Sequence, residues 1–172
     1  LIAFAEGYAT VGVNMRGSGC SGGVLDLFDL PTTADGYDVI ETVAAQPWVK
    51  GGRVGMIGIS FPGISQLFVG GARPPHLAAV APFSVIADIY RAPGFPGGIF
   101  NNGFAQSWLR DRKRDAEPAP EGGQAWARRR VDEGDTVCLE NQRLRLQTLD
   151  PVDFVQANPF YLPDLMDPRS PI

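Results

Sequence analysis

The chain has 172 residues, of which 44% are hydrophobic and 20% charged, a balance that suits a globular core and excludes a disordered polymer. Its net charge of −4 supplies no general attraction for nucleic acid, and no apolar run is long enough to cross a bilayer. Two cysteines, Cys20 and Cys138, make no disulfide framework by themselves, and they are expected to be free thiols.

Leu1–Glu6 reads as the tail of a helix that Gly7 closes. Tyr8–Asn14 is rich in β-forming residues and is the first predicted strand. It runs into a glycine-rich loop in which Gly17, Gly19 and Gly22 satisfy the G-x-G-x-x-G pattern of dinucleotide-binding folds. That fingerprint requires a helix to open directly from the loop, with its N-terminus facing a pyrophosphate. Val24–Pro31 has no helix start and ends in proline, and no second strand ends in an acid about twenty residues on. A dinucleotide-binding oxidoreductase is therefore only a remote alternative.

Thr32-Thr33-Ala34-Asp35 resembles a capping box, and Tyr37, Ile40 and Ala44 follow at helical spacing. Gly51-Gly52 turns the chain into Val54-Gly55-Met56-Ile57-Gly58-Ile59, the apolar run expected of a parallel strand covered on both faces. Ser60 follows at once, with Gly58 before it and Gly63 after it, and then a helix carrying Ile64, Leu67 and Phe68 on one face. A serine on a tight strand-to-helix turn between glycines is the pattern of a nucleophile elbow. Leu77–Pro82 is the next buried strand, which gives the strand–helix alternation of a parallel sheet.

Beyond Asp88-Ile89-Tyr90 a glycine and proline loop leads to predicted helices near Phe104–Arg114, Gln124–Glu133 and Leu139–Leu146. Their arginines alternate with acids, which favours a solvated helical surface over a nucleic-acid face. Asn158–Ile172 is rich in proline and reads as a linker. Because Leu1 is not an initiator and Pro168–Ile172 ends in loop-like sequence, the chain reads as the middle of a longer protein, with its compartment left open.

Several motifs occur together and in order: Gly7-Tyr8-Ala9, Arg16-Gly17-x-Gly19-x-Ser21-x-Gly23, Asp35-Gly36-Tyr37-Asp38 and Gln46-Pro47-Trp48. Val54-Gly55-Met56-x-Gly58-x-Ser60-Phe61-x-Gly63 and Asp88-x-Tyr90 complete the set. The chain thereby resembles the cocaine-esterase/NonD hydrolases, relatives of the Xaa-Pro dipeptidyl-peptidases. It departs from the family pattern at Asn14, Thr42 and Phe61, where aspartate, tryptophan and tyrosine are usual.

The resemblance implies a partial α/β-hydrolase fold, with residues 1–90 forming the core, 91–150 a helical cap and 151–172 a linker. It implies Ser60 as nucleophile and the Phe61 backbone N–H as one oxyanion donor, acting on a small-molecule acyl substrate, an ester or a peptide bond of Xaa-Pro type. The family's other donor, a tyrosine hydroxyl, and its triad acid and histidine fall outside residues 1–172. No cofactor, metal, nucleic acid or membrane is implied. The alternative is a catalytically incomplete piece or a non-enzymatic binding module. The only histidine, His76, precedes a strand and so belongs at the sheet edge opposite Ser60, roughly 15–20 Å away. His76 and Asp88 are both expected to be structural, and Cys20, with no histidine nearby, is read as a loop cysteine rather than a nucleophile. The slot beside the first strand is expected to be empty, which makes the isolated chain marginally stable.

Overall fold

The computed structural model describes residues 2–145 and 150–171. A single turn of helix, Ile2–Ala5 (α1), is closed as predicted: Gly7 adopts φ +80° and donates its N–H to the Phe4 carbonyl at 3.1 Å. Tyr8–Asn14 joins no ladder among the described residues, so the first predicted strand is not seen there. Its composition favours a strand, but a strand exists only by pairing, and Tyr8, Val11 and Val13 remain exposed. The glycine loop that follows closes on itself through Gly17 N–H to the Gly22 carbonyl at 2.9 Å.

Leu30–Ala44 (α2) begins earlier than the capping-box reading placed it. Asp29 is the N-cap, accepting from the Thr32 N–H at 2.9 Å, and Pro31 sits in the first turn, where no N–H is needed. The proline read as a stop is thus part of a helix start. Asp35 does not cap; it takes a bidentate ion pair from Arg16, both bonds at 2.6 Å, which ties the helix to the glycine loop.

Val54–Ile59 (β1) leads into Phe61–Gly71 (α3), which crosses over to Leu77–Phe83 (β2). The two strands pair in parallel, with Met56 opposite Val80, Ile57 opposite Ala81 and Ile59 opposite Phe83. Both α2 and α3 touch β1 and pack on each other. Residues of β1 alternate: Val54, Met56 and Gly58 are half-buried, whereas Ile57 and Ile59 are 59% and 65% exposed. The expectation of a strand covered on both faces is corrected: among the described residues only one face of β1 is covered. An apolar run without alternation does not say how many layers lie against it.

The helical region carries Phe104–Asp115 (α4), Ala125–Asp132 (α5) and Thr136–Gln142 (α6). The last starts before the predicted Leu139 because Asp135 caps it, accepting from the Cys138 N–H at 2.9 Å; the predicted end at Leu146 lies outside the described residues. Residues read as a linker hold two short helices, Pro151–Ala157 (α7) and Pro163–Met166 (α8). They return to the core through Arg169 Nη2 to Asp26 Oδ2 at 2.6 Å and the Tyr90 hydroxyl to the Pro159 carbonyl at 2.8 Å.

One expectation fails outright. Cys20 and Cys138 form a disulfide, with Cα atoms 4.5 Å apart. A separation of 118 residues in sequence says nothing about distance once α6 lies on the glycine loop. The same seam is stitched by Asn141 Nδ2 to the Cys20 carbonyl at 2.8 Å, Gly19 N–H to the Ala116 carbonyl at 3.0 Å and Leu25 N–H to the Arg145 carbonyl at 2.8 Å. A Cys20 thiol nucleophile is excluded with it.

The core joins all these parts. Leu27, Phe28, Ile64 and Leu109 are buried together, with Phe61, Phe68, Trp108 and Val152 packed around them. Phe28 stacks on Phe68 at 5.4 Å and meets Phe61 at 4.8 Å, and Phe61 meets Trp108 of α4 at 6.2 Å.

Candidate functional site

Ser60 sits between the end of β1 and the first residue of α3, at φ +61° and ψ −126°. A non-glycine residue there carries backbone strain of roughly 1–3 kcal/mol and persists only where its surroundings over-determine it. They do so here from both sides. The Ser60 N–H donates to the Phe83 carbonyl of β2 at 2.9 Å, and the Ser60 carbonyl accepts from Gly63 and Ile64 N–H groups, each at 2.8 Å.

The two glycines are required by space. A Cβ on Gly58 would lie 2.6 Å from the Pro62 Cβ, and one on Gly63 would lie 2.5 Å from the Phe83 carbonyl oxygen and 2.9 Å from that of Gly58. Each position brings backbone against backbone, so no side chain fits without moving the turn.

Ser60 is exposed, and its hydroxyl makes no hydrogen bond among the described residues. Phe61 opens α3, so its N–H has no intrahelical acceptor and points out of the helix N-terminus beside Ser60. Its ring faces inward to Phe28 and Trp108, which anchors the backbone that carries the N–H. An exposed hydroxyl on a strained turn beside the one unspent helix N–H, that of Phe61, is an arrangement suited to attack on a carbonyl and to holding the resulting oxyanion.

His76 lies where the sheet direction puts it. Its carbonyl accepts from Val54 N–H at the start of β1, 3.0 Å away, whereas Ser60 bonds to the far end of β2. Its Nδ1 lies 2.6 Å from Glu41 Oε2 of α2, and this imidazole hydrogen bond holds the Glu41 carboxyl below its ordinary pKa. Asp88 follows β2 on the Ser60 side but is engaged by Arg91, with the backbone N–H at 2.7 Å and the guanidinium at 2.5 Å. Burial pushes the Asp88 carboxyl up, and these two bonds more than offset it, leaving the pKa below the usual carboxylate value. Arg91 in turn lies over the Tyr161 ring, 4.0 Å from its centroid. The structure therefore brings Ser60 and Phe61 together and leaves His76 and Asp88 with partners of their own.

Two features escaped the sequence reading. Gln66 is fully buried on α3 and hydrogen-bonded at both ends; the signal was a lone amide among Gly63, Ile64 and Val69 on the inward face. The Cys20–Cys138 bond had no local signal at all. Of the aromatics in the helical region, Phe95 is buried and Trp108 packs against the core, whereas Phe104 is 62% exposed. A cleft of about 330 Å³ between α4 and α7, lined by Arg110, Lys113, Arg114, Glu117, Asp150, Val152 and Asp153, includes none of the turn residues. Among the described residues no group of histidine, cysteine and carboxylate side chains is arranged to hold a metal ion.

Comparison with known proteins identifies the family. The profile of the X-Pro dipeptidyl-peptidase (S15) family matches residues 3–163. A protein named as a serine esterase from Mycobacterium bovis is 34% identical over 107 residues, covering 62% of this chain and 17% of its own. The cocaine esterase of a Rhodococcus species is 35% identical over 97 residues, covering 56% of this chain and 17% of its own. A crystal structure of a CocE/NonD family hydrolase from Staphylococcus aureus superposes with a TM-score of 0.67 and 27% identity, over 91% of this chain and 23% of that one. The chain thus spans about a sixth of the length of the curated relatives it matches, 17% in each case. The parallel pair, its crossover helix and the match across residues 3–163 place the chain in the X-Pro dipeptidyl-peptidase (S15) family of α/β hydrolases.

Proposed function

We propose that the protein is a serine hydrolase of acyl substrates in which Ser60 is the nucleophile. The observation that carries the reading is the Ser60 backbone at φ +61° between two glycines that admit no side chain. Strain of this kind needs a reason, and presenting a hydroxyl at the head of a helix supplies one.

In this reading the Ser60 Oγ attacks the substrate carbonyl and loses its proton to a general base. The oxyanion accepts a hydrogen bond from the Phe61 N–H, the leaving alcohol or amine departs with a proton, and water then hydrolyses the acyl-serine. Losing one oxyanion donor costs about 100–1,000-fold in rate. The replacement of the family's usual tyrosine by Phe61 leaves this step unaltered, because the donor is the backbone. The base and its carboxylate come from outside residues 1–172, since the single histidine is held by Glu41 at the other end of the sheet. An ester and a peptide bond of Xaa-Pro type both fit this chemistry, as the names of the family and of its esterase relatives do.

The test is turnover of an activated ester by the full natural polypeptide. Ser60→Ala should lower kcat by roughly a million-fold while leaving the fold intact. Unchanged turnover would remove Ser60 from the mechanism. The position of His76 also favours a second reading, in which residues 1–172 alone are catalytically incomplete. Ester turnover by this chain alone, abolished by Ser60→Ala, would contradict it.

A further inference from the structure

We propose that Gln66 is a positioning residue for the Ser60 turn. The inference rests on the reading of Ser60 as nucleophile. Gln66 is 0% exposed, the most completely buried polar side chain among the described residues. Its amide spans two elements. Nε2 donates to the Pro62 carbonyl at 2.8 Å, and Oε1 accepts from the Ala81 N–H of β2 at 2.9 Å.

Both ends of this link lie beside the site. Pro62 directly follows Phe61, whose N–H faces the reacting position, and the Pro62 Cβ is the atom that crowds Gly58. Ala81 lies two residues before Phe83, whose carbonyl holds the Ser60 N–H at 2.9 Å and excludes a side chain at Gly63. β2 therefore grips the turn twice, once through Ser60 and once through Gln66. The first bond fixes where the turn begins; the second fixes the first turn of α3 that carries the Phe61 N–H.

Apolar packing cannot replace this link, because dispersion is non-directional, and a hydrocarbon at 66 would remove the acceptor of the half-buried Ala81 N–H. Slippage of α3 along β2 would move the Phe61 N–H and the Ser60 Oγ relative to each other. Misplacement of reacting groups by about 1 Å costs on the order of 100-fold in rate.

The experiment uses the full natural polypeptide and a p-nitrophenyl ester, well below the melting temperature. Gln66→Met, of similar length and without a donor or acceptor pair, should lower kcat about 10- to 100-fold with KM changed less than about twofold. Gln66→Glu is the conservative rescue. Its protonated form can donate to Pro62 and accept from Ala81, whereas its ionised form cannot donate, so its kcat relative to the parent should fall as pH rises. A purely structural role would lower the melting temperature and leave kcat and its pH profile unmoved, and that result overturns the proposal. So does failure of both variants to fold. Ser60→Ala is assayed alongside. If it retains turnover, the nucleophile reading fails and Gln66 falls with it; if it abolishes turnover while Gln66→Met keeps the parental kcat, only the role of Gln66 is refuted.

Discussion

The Ser60 turn and the seam between the glycine loop and the helical region are held by opposite means. The turn is built from neighbours in sequence and from one adjoining strand: two glycines, the Ser60 backbone bond to Phe83, and Gln66 reaching Ala81. The seam is built from partners distant in sequence: Cys20 with Cys138, Asn141 with the Cys20 carbonyl, and Leu25 with the Arg145 carbonyl. Short-range fixing sets geometry to a fraction of an ångström, and long-range fixing contributes stability by closing loops. The two regions should therefore respond differently to substitution.

The largest effect on stability belongs to the seam. Cys20→Ser together with Cys138→Ser should destabilise the fold by about 2–4 kcal/mol in denaturant unfolding, because a bond closing so long a loop restricts the unfolded chain. Reactivity at Ser60 should be unchanged under native conditions. Equal loss of reactivity would show that the seam also shapes the turn and would break the contrast.

Gly63→Ala should do the reverse. The added methyl meets two carbonyl oxygens, at 2.5 and 2.9 Å, and overpacking of this kind costs about 1–3 kcal/mol. The loss of stability should be the smaller of the two, and the loss of Ser60 reactivity should be nearly complete. A reactive Gly63→Ala variant would mean that the turn tolerates displacement.

Acid should act weakly and on the helical region. Burial pushes the Asp150 carboxyl up, but the Lys113 ammonium and the N–H groups of Val152 and Asp153 more than offset it and hold its pKa below the ordinary value. With the folded pKa depressed, its contribution is fully present above the unfolded pKa of about 4 and is lost as pH falls through the folded value. Lys113→Met should lower stability at pH 7 by less than about 1 kcal/mol, and the difference from the parent should vanish in acid. A difference that persists at low pH would assign the effect to packing rather than charge.

This contrast also explains what could be read from the sequence. Val54–Gly63 was legible because the strand, the glycines and the helix start that make the turn are adjacent, so local pattern is nearly the whole cause. Asp29 and Pro31 were equally local, but a proline closing an apolar run reads as a stop until the helix behind it is seen. Tyr8–Asn14 has the composition of a strand and lacks a partner, which composition cannot supply. Asn158–Ile172 looked like a linker from its prolines, although Pro163 starts a helix and Arg169 returns to Asp26. The disulfide and the exposed second face of β1 depend on what lies across space, and single residues carry no mark of that.

The central claim is that the strained turn makes Ser60 a nucleophile, and covalent labelling tests it most directly. The folded full natural polypeptide is treated with a fluorophosphonate and mapped by peptide mass. Modification should fall on Ser60, disappear on unfolding in urea and be absent from Ser60→Ala. A folded protein that turns over esters while Ser60 stays unmodified, with the label on another serine, would contradict the claim.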